Sequence, residues 1–254
     1  MPISFHLFRV NSLKHIEKYE TTWQLEWMKD DDPLKKEHFK SEYARSRAGF
    51  IDGYDEYDAS HEFLVQLKMI GRARGIEFTQ YVTPYRFKMY LQSGADTNSY
   101  LLVRTKSKVA LDFVKRLNAA KEGIEIGRVA VNVTQMRPYC VRITGAWFGE
   151  LLAANISTTA VFGDQVDRSK EFEHAESIGK LTSIMIGYPM SFLENRLCTF
   201  QITADGVIVL YDNLDEECSL RAVVALRENL IDRCLLNGPA PSADSETAVS
   251  IGRR

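Results

Sequence analysis

Residues 180–237 constrain the fold more than any other part of the chain, because a hairpin signal is followed there at once by a complete amphipathic helix. Two β-rich runs, 199–204 and 207–211, flank the dipeptide Asp205-Gly206. An Asp-Gly pair between such runs is typical of a hairpin turn, since both central residues of that turn need positive φ. We therefore predict a two-residue β-turn at this point.

The second run of this hairpin is apolar on both sides. Val207 and Val209 alternate with Ile208 and Leu210, so each side of the strand carries branched aliphatic residues. Strands of this kind are usually buried on both faces of a sheet. The run is predicted to be a central strand that is covered above and below, and a further alternating run over 182–188 supplies another strand.

The helix after the hairpin has its own start and stop signals. Asn213 or Asp215 can cap its first turn, and Gly238 followed by proline is typical of a helix end. Its apolar positions recur with helical spacing and predict a face that packs on the sheet. These positions are Leu220, Val223, Val224, Leu230, Ile231 and Cys234.

The N-terminal third shows patterns that favour helices. Residues 13–28 and 60–74 are predicted to be helical, and the charged run 34–47 is predicted to be an exposed helix or an ordered loop. Within 60–74, Phe63 and Leu67 fall on one helical face. Further along, a helix over 109–117 is predicted between two strands.

These elements together predict an α+β fold with a mixed or antiparallel sheet, flanking helices and an N-terminal helical layer. We expect one α+β body over 1–238, divisible into a helical lobe (11–75) and a sheet-rich part (76–238). The tail 239–254 carries no apolar periodicity, and its composition predicts disorder.

Composition narrows the classes of function. A formal net charge of −2 gives no overall attraction to nucleic acid, so a nucleic-acid site has to be a local patch. No apolar run is long enough to span a bilayer, and the N-terminus lacks the pattern of a signal peptide. The four cysteines are scattered without a Cys-x-x-Cys pair, which favours free thiols in the cytoplasm.

Two charged clusters are candidates for chemistry or binding. The segment 50–62 holds an acidic set that could bind a divalent cation for phosphodiester cleavage, but a solvated loop is the simpler explanation. That set is Asp52, Asp55, Asp58 and His61. A basic set around the predicted helix 109–117 could contact phosphates, with the solvated face of an amphipathic helix as the competing interpretation. That set is Arg104, Lys106, Lys108, Lys115, Arg116 and Lys121.

Signatures of nucleophilic catalysis and cofactor binding are absent from the sequence. It contains no Gly-x-Ser-x-Gly motif and no glycine-rich phosphate loop, and no metal or cofactor is implied. The leading hypothesis is a non-catalytic binding or assembly subunit that contacts a protein partner or a second copy, with nucleic acid as a further candidate partner; a metal-dependent phosphodiesterase or nuclease is the alternative. The aromatic residues expected at the protein contact are Phe50, Tyr54, Tyr57 and Trp147.

Overall fold

The computed structural model describes residues 2–14, 16–25, 33–51, 53–73, 76–93, 99–120, 123–152 and 156–236. Over these residues the protein is mostly antiparallel β-sheet, with 54% strand and 26% helix. The predicted α+β fold with an N-terminal helical layer is therefore wrong. The predicted tail 239–254 lies outside the described residues.

Twelve strands form one sheet within the described residues. They are β1 (Ile3–Leu13), β2 (Lys18–Trp23), β3 (Phe39–Ile51), β4 (Tyr54–Ala73), β5 (Ile76–Gln92), β6 (Ser99–Arg104), β7 (Ile124–Arg128), β8 (Arg142–Gly149), β9 (Thr158–Phe162), β10 (Lys180–Met190), β11 (Arg196–Thr203) and β12 (Val207–Leu210). Their spatial order is β2-β3-β4-β5-β6-β1-β12-β11-β10-β8-β9, and β7 also pairs with β1.

The described helices are few and short. They are α1 (Ser107–Ala119), α2 (Val133–Met136), α3 (Lys170–Ile178) and α4 (Glu216–Asn229). Single turns of 3-10 helix occur at Pro33–Lys36, Arg137–Tyr139, Val166–Arg168, Ser191–Leu193 and Ile231–Cys234.

Strand β1 divides the apolar residues between two cores. Phe5 and Leu7 point to one face of the sheet and Phe8 and Val10 to the other, because successive side chains of a strand alternate. All four are at most 2% exposed. The two cores therefore lie on opposite faces of one continuous sheet.

Different helices cover these two faces. Helix α1 packs over β1 and β3–β6, and α3 and α4 pack on the opposite face, mainly over β1, β8 and β10–β12, with α4 also reaching one end of β3–β6. The buried side of α1 is its apolar stripe, which consists of Val109, Ala110, Phe113, Val114 and Leu117. Each half of the sheet is thus covered on one face and open over much of the other.

The helices predicted over 13–28 and 60–74 are wrong, and so is the exposed helix or ordered loop predicted over 34–47. Strands β2, β3 and β4 occupy most of the described residues of these segments, and a single 3-10 turn lies at Pro33–Lys36. The reason is that inward positions of β3 and β4 carry polar side chains, Ser41 and His61, which hide the alternation of period two. Long-range pairing of β4 with β5 then overrides the helical spacing of local apolar residues.

The C-terminal hairpin and the start of the helix are confirmed, but the turn differs and α4 ends at Asn229, before the predicted end near Gly238. Strands β11 and β12 pair as predicted, but the loop has three residues, because the Gly206 N–H donates to the carbonyl of Thr203 over 3.1 Å. Only Gly206 in this loop has positive φ, at +79°, so Asp205 does not. Asp215 caps α4 by accepting a 2.7 Å hydrogen bond from the Cys218 N–H.

The prediction that β12 is covered on both faces is wrong. Ile208 and Leu210 are fully buried under α4, whereas Val207 and Val209 on the other face remain partly exposed. That face belongs to the half of the sheet over which α1 does not extend. An aliphatic surface is consequently left open beside the α1 core.

Gly206 supplies the first testable prediction. A Cβ here would lie 2.9 Å from the Val129 carbonyl oxygen and would also require a left-handed residue. Gly49 has a similar φ of +59° but open space around it, so Gly49→Ala measures backbone strain alone, at about 1 kcal/mol. Gly206→Ala should cost at least about 2 kcal/mol in urea unfolding. Equal losses in the two variants would contradict this packing.

Candidate functional site

The acidic set is divided between the two faces of β4. Asp55 and His61 are separated by six residues and share one face, and Asp58 lies on the other face because it is three residues from each. Asp52 lies outside the described residues. Among the described residues, no group of three or more His, Cys, Asp or Glu side chains is placed to hold a metal ion.

Asp55 is held by protein groups around the end of its hairpin. Its carboxylate accepts hydrogen bonds from the Gly49 N–H at 2.8 Å and the Ser93 hydroxyl at 2.9 Å, and Arg45 lies 3.3 Å away. Burial alone would raise the pKa of Asp55, but these hydrogen bonds and the charge of Arg45 lower it. Asp55 therefore closes a turn, with its acceptor oxygens already used.

The carboxylates on the opposite face pair with one lysine. Lys88 Nζ lies 2.9 Å from both the buried Glu56 and the exposed Asp58. Each oxygen that pairs with Lys88 is less available to a cation. The described acids of this segment consequently stabilise the sheet and do not converge on one point.

His61 instead links two strands to α1. Its Nδ1 lies 2.8 Å from the Ser41 hydroxyl on β3, and its Nε2 lies 3.1 Å from a carboxylate oxygen of Asp112 on α1. Ser41 and His61 are both fully buried. Burial would raise the pKa of Asp112, but the hydrogen bond from His61 and the charge of Arg116 lower it.

This Ser-His-Asp chain differs from a catalytic triad in two respects. A triad uses Nε2 of the imidazole toward serine and Nδ1 toward aspartate, and here the order is reversed. The serine is also closed to solvent. Aromatic rings surround the imidazole at centroid distances of 5.8–6.1 Å; they belong to Trp23, Phe63 and Phe113. The arrangement fastens α1 to the sheet.

The aromatic residues predicted at the protein contact are distributed unequally. Tyr54 and Tyr57 are at most 1% exposed and belong to the two cores. Phe50 stacks on Tyr90, with ring centroids 6.0 Å apart. Trp147 alone of the predicted four lies on an open face of the sheet, where it packs edge-on against Phe162 at 5.0 Å.

Trp147 belongs to an open face that extends over β12, β11, β10, β8 and β9. Side chains directly opposite each other in neighbouring strands share a face, so the registers define its central rows. All of these side chains are uncharged. They are Val207, Val209, Gln201, Thr203, Ser183, Met185, Trp147, Ala160 and Phe162.

The predicted basic set is also divided between the faces. Arg104 lies opposite Lys88 in the sheet and binds Glu216 of α4 at 3.1 Å, on the face away from α1. Arg116 stacks on Trp23 at 3.9 Å. Lys121 lies outside the described residues. Three lysines of the set are exposed on or beside α1: Lys106, Lys108 and Lys115.

No protein-family model matches the chain, and no curated protein matches it significantly. None of the described helices combines the length and apolar character needed to cross a bilayer.

Several residues of the buried hydrogen-bonded set and of the open face could not be identified from local sequence patterns. Ser41, His61 and Asp112 meet across 71 positions of sequence, and only the strand register with α1 brings them together. Phe162 ends β9, and its exposure of 61% depends on that strand lying at the sheet edge.

Replacing His61 tests the fastening of α1. His61→Leu leaves the buried Ser41 hydroxyl without a partner and removes one hydrogen bond to the Asp112 carboxylate, which keeps its ion pair with Arg116, so we expect a loss of about 2–4 kcal/mol in urea unfolding. His174 is exposed, and His174→Leu should change the free energy of unfolding by less than about 0.5 kcal/mol. A loss below about 1 kcal/mol for His61→Leu would show that the hydrogen bonds of Ser41, His61 and Asp112 do not stabilise the packing of α1 on the sheet.

The stabilisation by the His61–Asp112 hydrogen bond should also depend on pH. Because its folded-state pKa is lowered, its contribution is complete above the unfolded-state pKa and is lost as pH falls through the folded-state pKa. The stability difference between wild type and Asp112→Asn should therefore shrink as pH falls from about 7 to about 3. A difference that stays constant over this range in urea titrations would contradict the assignment.

Proposed function

We propose that the protein is a non-catalytic assembly subunit that pairs with a second copy of itself through β9 and the open face beside it. The observation that supports this proposal is an uncharged face that ends at an unpaired sheet edge. Among the described residues, β9 pairs only with β8.

The two edges of the sheet differ in how they discourage pairing. Exposed edge strands usually carry charges, proline or bulges that block association with another strand. The edge strand β2 follows this rule, since it contains Lys18 and Glu20. Strand β9 has the sequence Thr-Thr-Ala-Val-Phe, with neither charge nor proline, and its register with β8 is regular. The β9 edge therefore favours addition of a further strand.

A second copy fits this edge by symmetry. Two identical strands that pair antiparallel about a two-fold axis form an isologous contact, which is the commonest type in homo-oligomers. An uncharged edge creates no like-charge repulsion when it meets itself. The neighbouring rings of Trp147 and Phe162 supply apolar area at the same place, and the ion pair of Arg142 with Asp164 lies at its border.

The nuclease activity and the nucleic-acid binding predicted from the sequence have less support. The acids proposed for a metal-dependent nuclease are spread over two faces of β4, and the described ones pair with protein groups. The cations proposed for nucleic acid are split between two faces of the sheet. Of the described members of the basic set, Lys106, Lys108 and Lys115 are the exposed ones, on or beside α1.

A charge on the open face should prevent self-association. Phe162→Glu places carboxylates beside the proposed two-fold axis, and we expect the dimer of the wild type to become monomeric in size-exclusion chromatography with light scattering. Ile70→Glu is the matched control, because Ile70 is also 61% exposed but lies on β4 in the other half of the sheet. It should leave the dimer intact.

Two outcomes would overturn this proposal. A wild-type chain that remains monomeric over the accessible concentration range would exclude self-association, whether or not a different protein uses the face. A dimer that Ile70→Glu disrupts as strongly as Phe162→Glu would place the interface elsewhere. Circular dichroism of both variants establishes that the sheet is intact.

A further inference from the structure

A cleft of about 660 Å³ lies on the other open face, over strands β2–β5. Its floor includes the small side chains of Ala44 on β3 and Ser60 on β4, and its borders include Lys18 on β2 and Arg86 on β5. Small residues on the two central strands between long residues on the outer strands explain the depression. Its volume falls within the range of small-ligand sites, roughly 300–1,000 Å³.

The acidic groups around this cleft contact lysines that they share with other carboxylates. Glu42 pairs with Lys40 at 2.7 Å, and Asp58 pairs with Lys88 at 2.9 Å, while Lys40 also contacts Glu20 and Lys88 also contacts Glu56. These carboxylates keep lone pairs that can accept hydrogen bonds from hydroxyl groups.

The basic groups at the two borders of the cleft differ from these acids in having no ion-pair partner among the described residues. Among the described residues, neither Lys18 nor Arg86 has an ion-pair partner, and the Ser60 hydroxyl between them has no hydrogen-bond partner. The lining side chains therefore carry three positive charges and two negative ones, and Lys18, Arg86 and the Ser60 hydroxyl can contact a ligand. This arrangement favours an anion over a cation or an apolar ligand.

We propose that this cleft binds a small phosphate ester that also carries hydroxyl groups, of the size of a sugar phosphate or a mononucleotide. The guanidinium of Arg86 matches two phosphate oxygens, and Lys18 adds a second positive charge from the opposite border. Ser60 can donate a hydrogen bond to the phosphate. The carboxylates of Glu42 and Asp58 accept hydrogen bonds from the hydroxyl groups.

This site is independent of the proposed self-association. The cleft lies on the face of the sheet away from α1, in the half that does not contain β9. Failure of either proposal leaves the other unchanged, because the two surfaces share no strand and no side chain.

Isothermal titration calorimetry with matched probes tests the site. Adenosine 5′-monophosphate and ribose 5-phosphate should bind the full chain, while adenosine and ribose should bind at least about tenfold more weakly. Arg86→Gln and Lys18→Gln should each weaken binding of the phosphorylated probes about tenfold. Ala44→Leu should abolish binding by filling the floor without changing any charge.

Lys108→Gln is the control, because Lys108 is an equally exposed cation on α1, on the opposite face of the sheet. It should bind the probes like the wild type. The proposal is overturned if no phosphorylated probe binds, or if Lys108→Gln weakens binding as much as Arg86→Gln. Binding of a short oligonucleotide that depends on Lys108 and not on Arg86 would also overturn it, since the anion site would then lie on α1.

Discussion

Alternation along β1 is the constraint on which the rest of the structure depends. This strand pairs with β6 on one side and with β12 and β7 on the other, so it joins the two halves of the sheet. Its buried side chains point alternately to the two faces, and each set begins a separate core. A shift of one residue in the register of β1 would exchange Phe5 and Leu7 with Phe8 and Val10 and disrupt both cores.

The two cores explain why the protein has two open faces of different character. Helices α3 and α4 cover one half of the sheet from one side, and α1 covers the other half from the opposite side. The open face over β2–β5 carries charged residues, and the open face over β8–β12 carries uncharged ones in its central rows. Water solvates the first, whereas the second retains an apolar area of the kind that mediates protein contacts.

Local signals in the sequence predicted the C-terminal part of this fold, and long-range pairing determined the rest. The cap of α4 at Asp215, its apolar stripe and the hairpin before it depend on residues close in sequence. Strands β3 and β4 do not, because their inward positions include Ser41 and His61, whose burial becomes favourable only when Asp112 arrives from α1. The grouping of the candidate site residues could not be predicted for the same reason. Asp58 and His61 are close in sequence, and only the alternation along β4 shows that they lie on opposite faces of the sheet.

The buried chain from Ser41 through His61 to Asp112 shows why residue types alone do not define catalysis. A catalytic serine needs access to substrate and donors that stabilise an oxyanion, whereas Ser41 is closed to solvent and its partner His61 packs against Trp23 and Phe113. In this position the polar groups satisfy each other and allow α1 to dock in one orientation, because any other would leave a buried donor or acceptor unpaired. The polar chain therefore adds specificity to a contact that the apolar stripe of α1 stabilises.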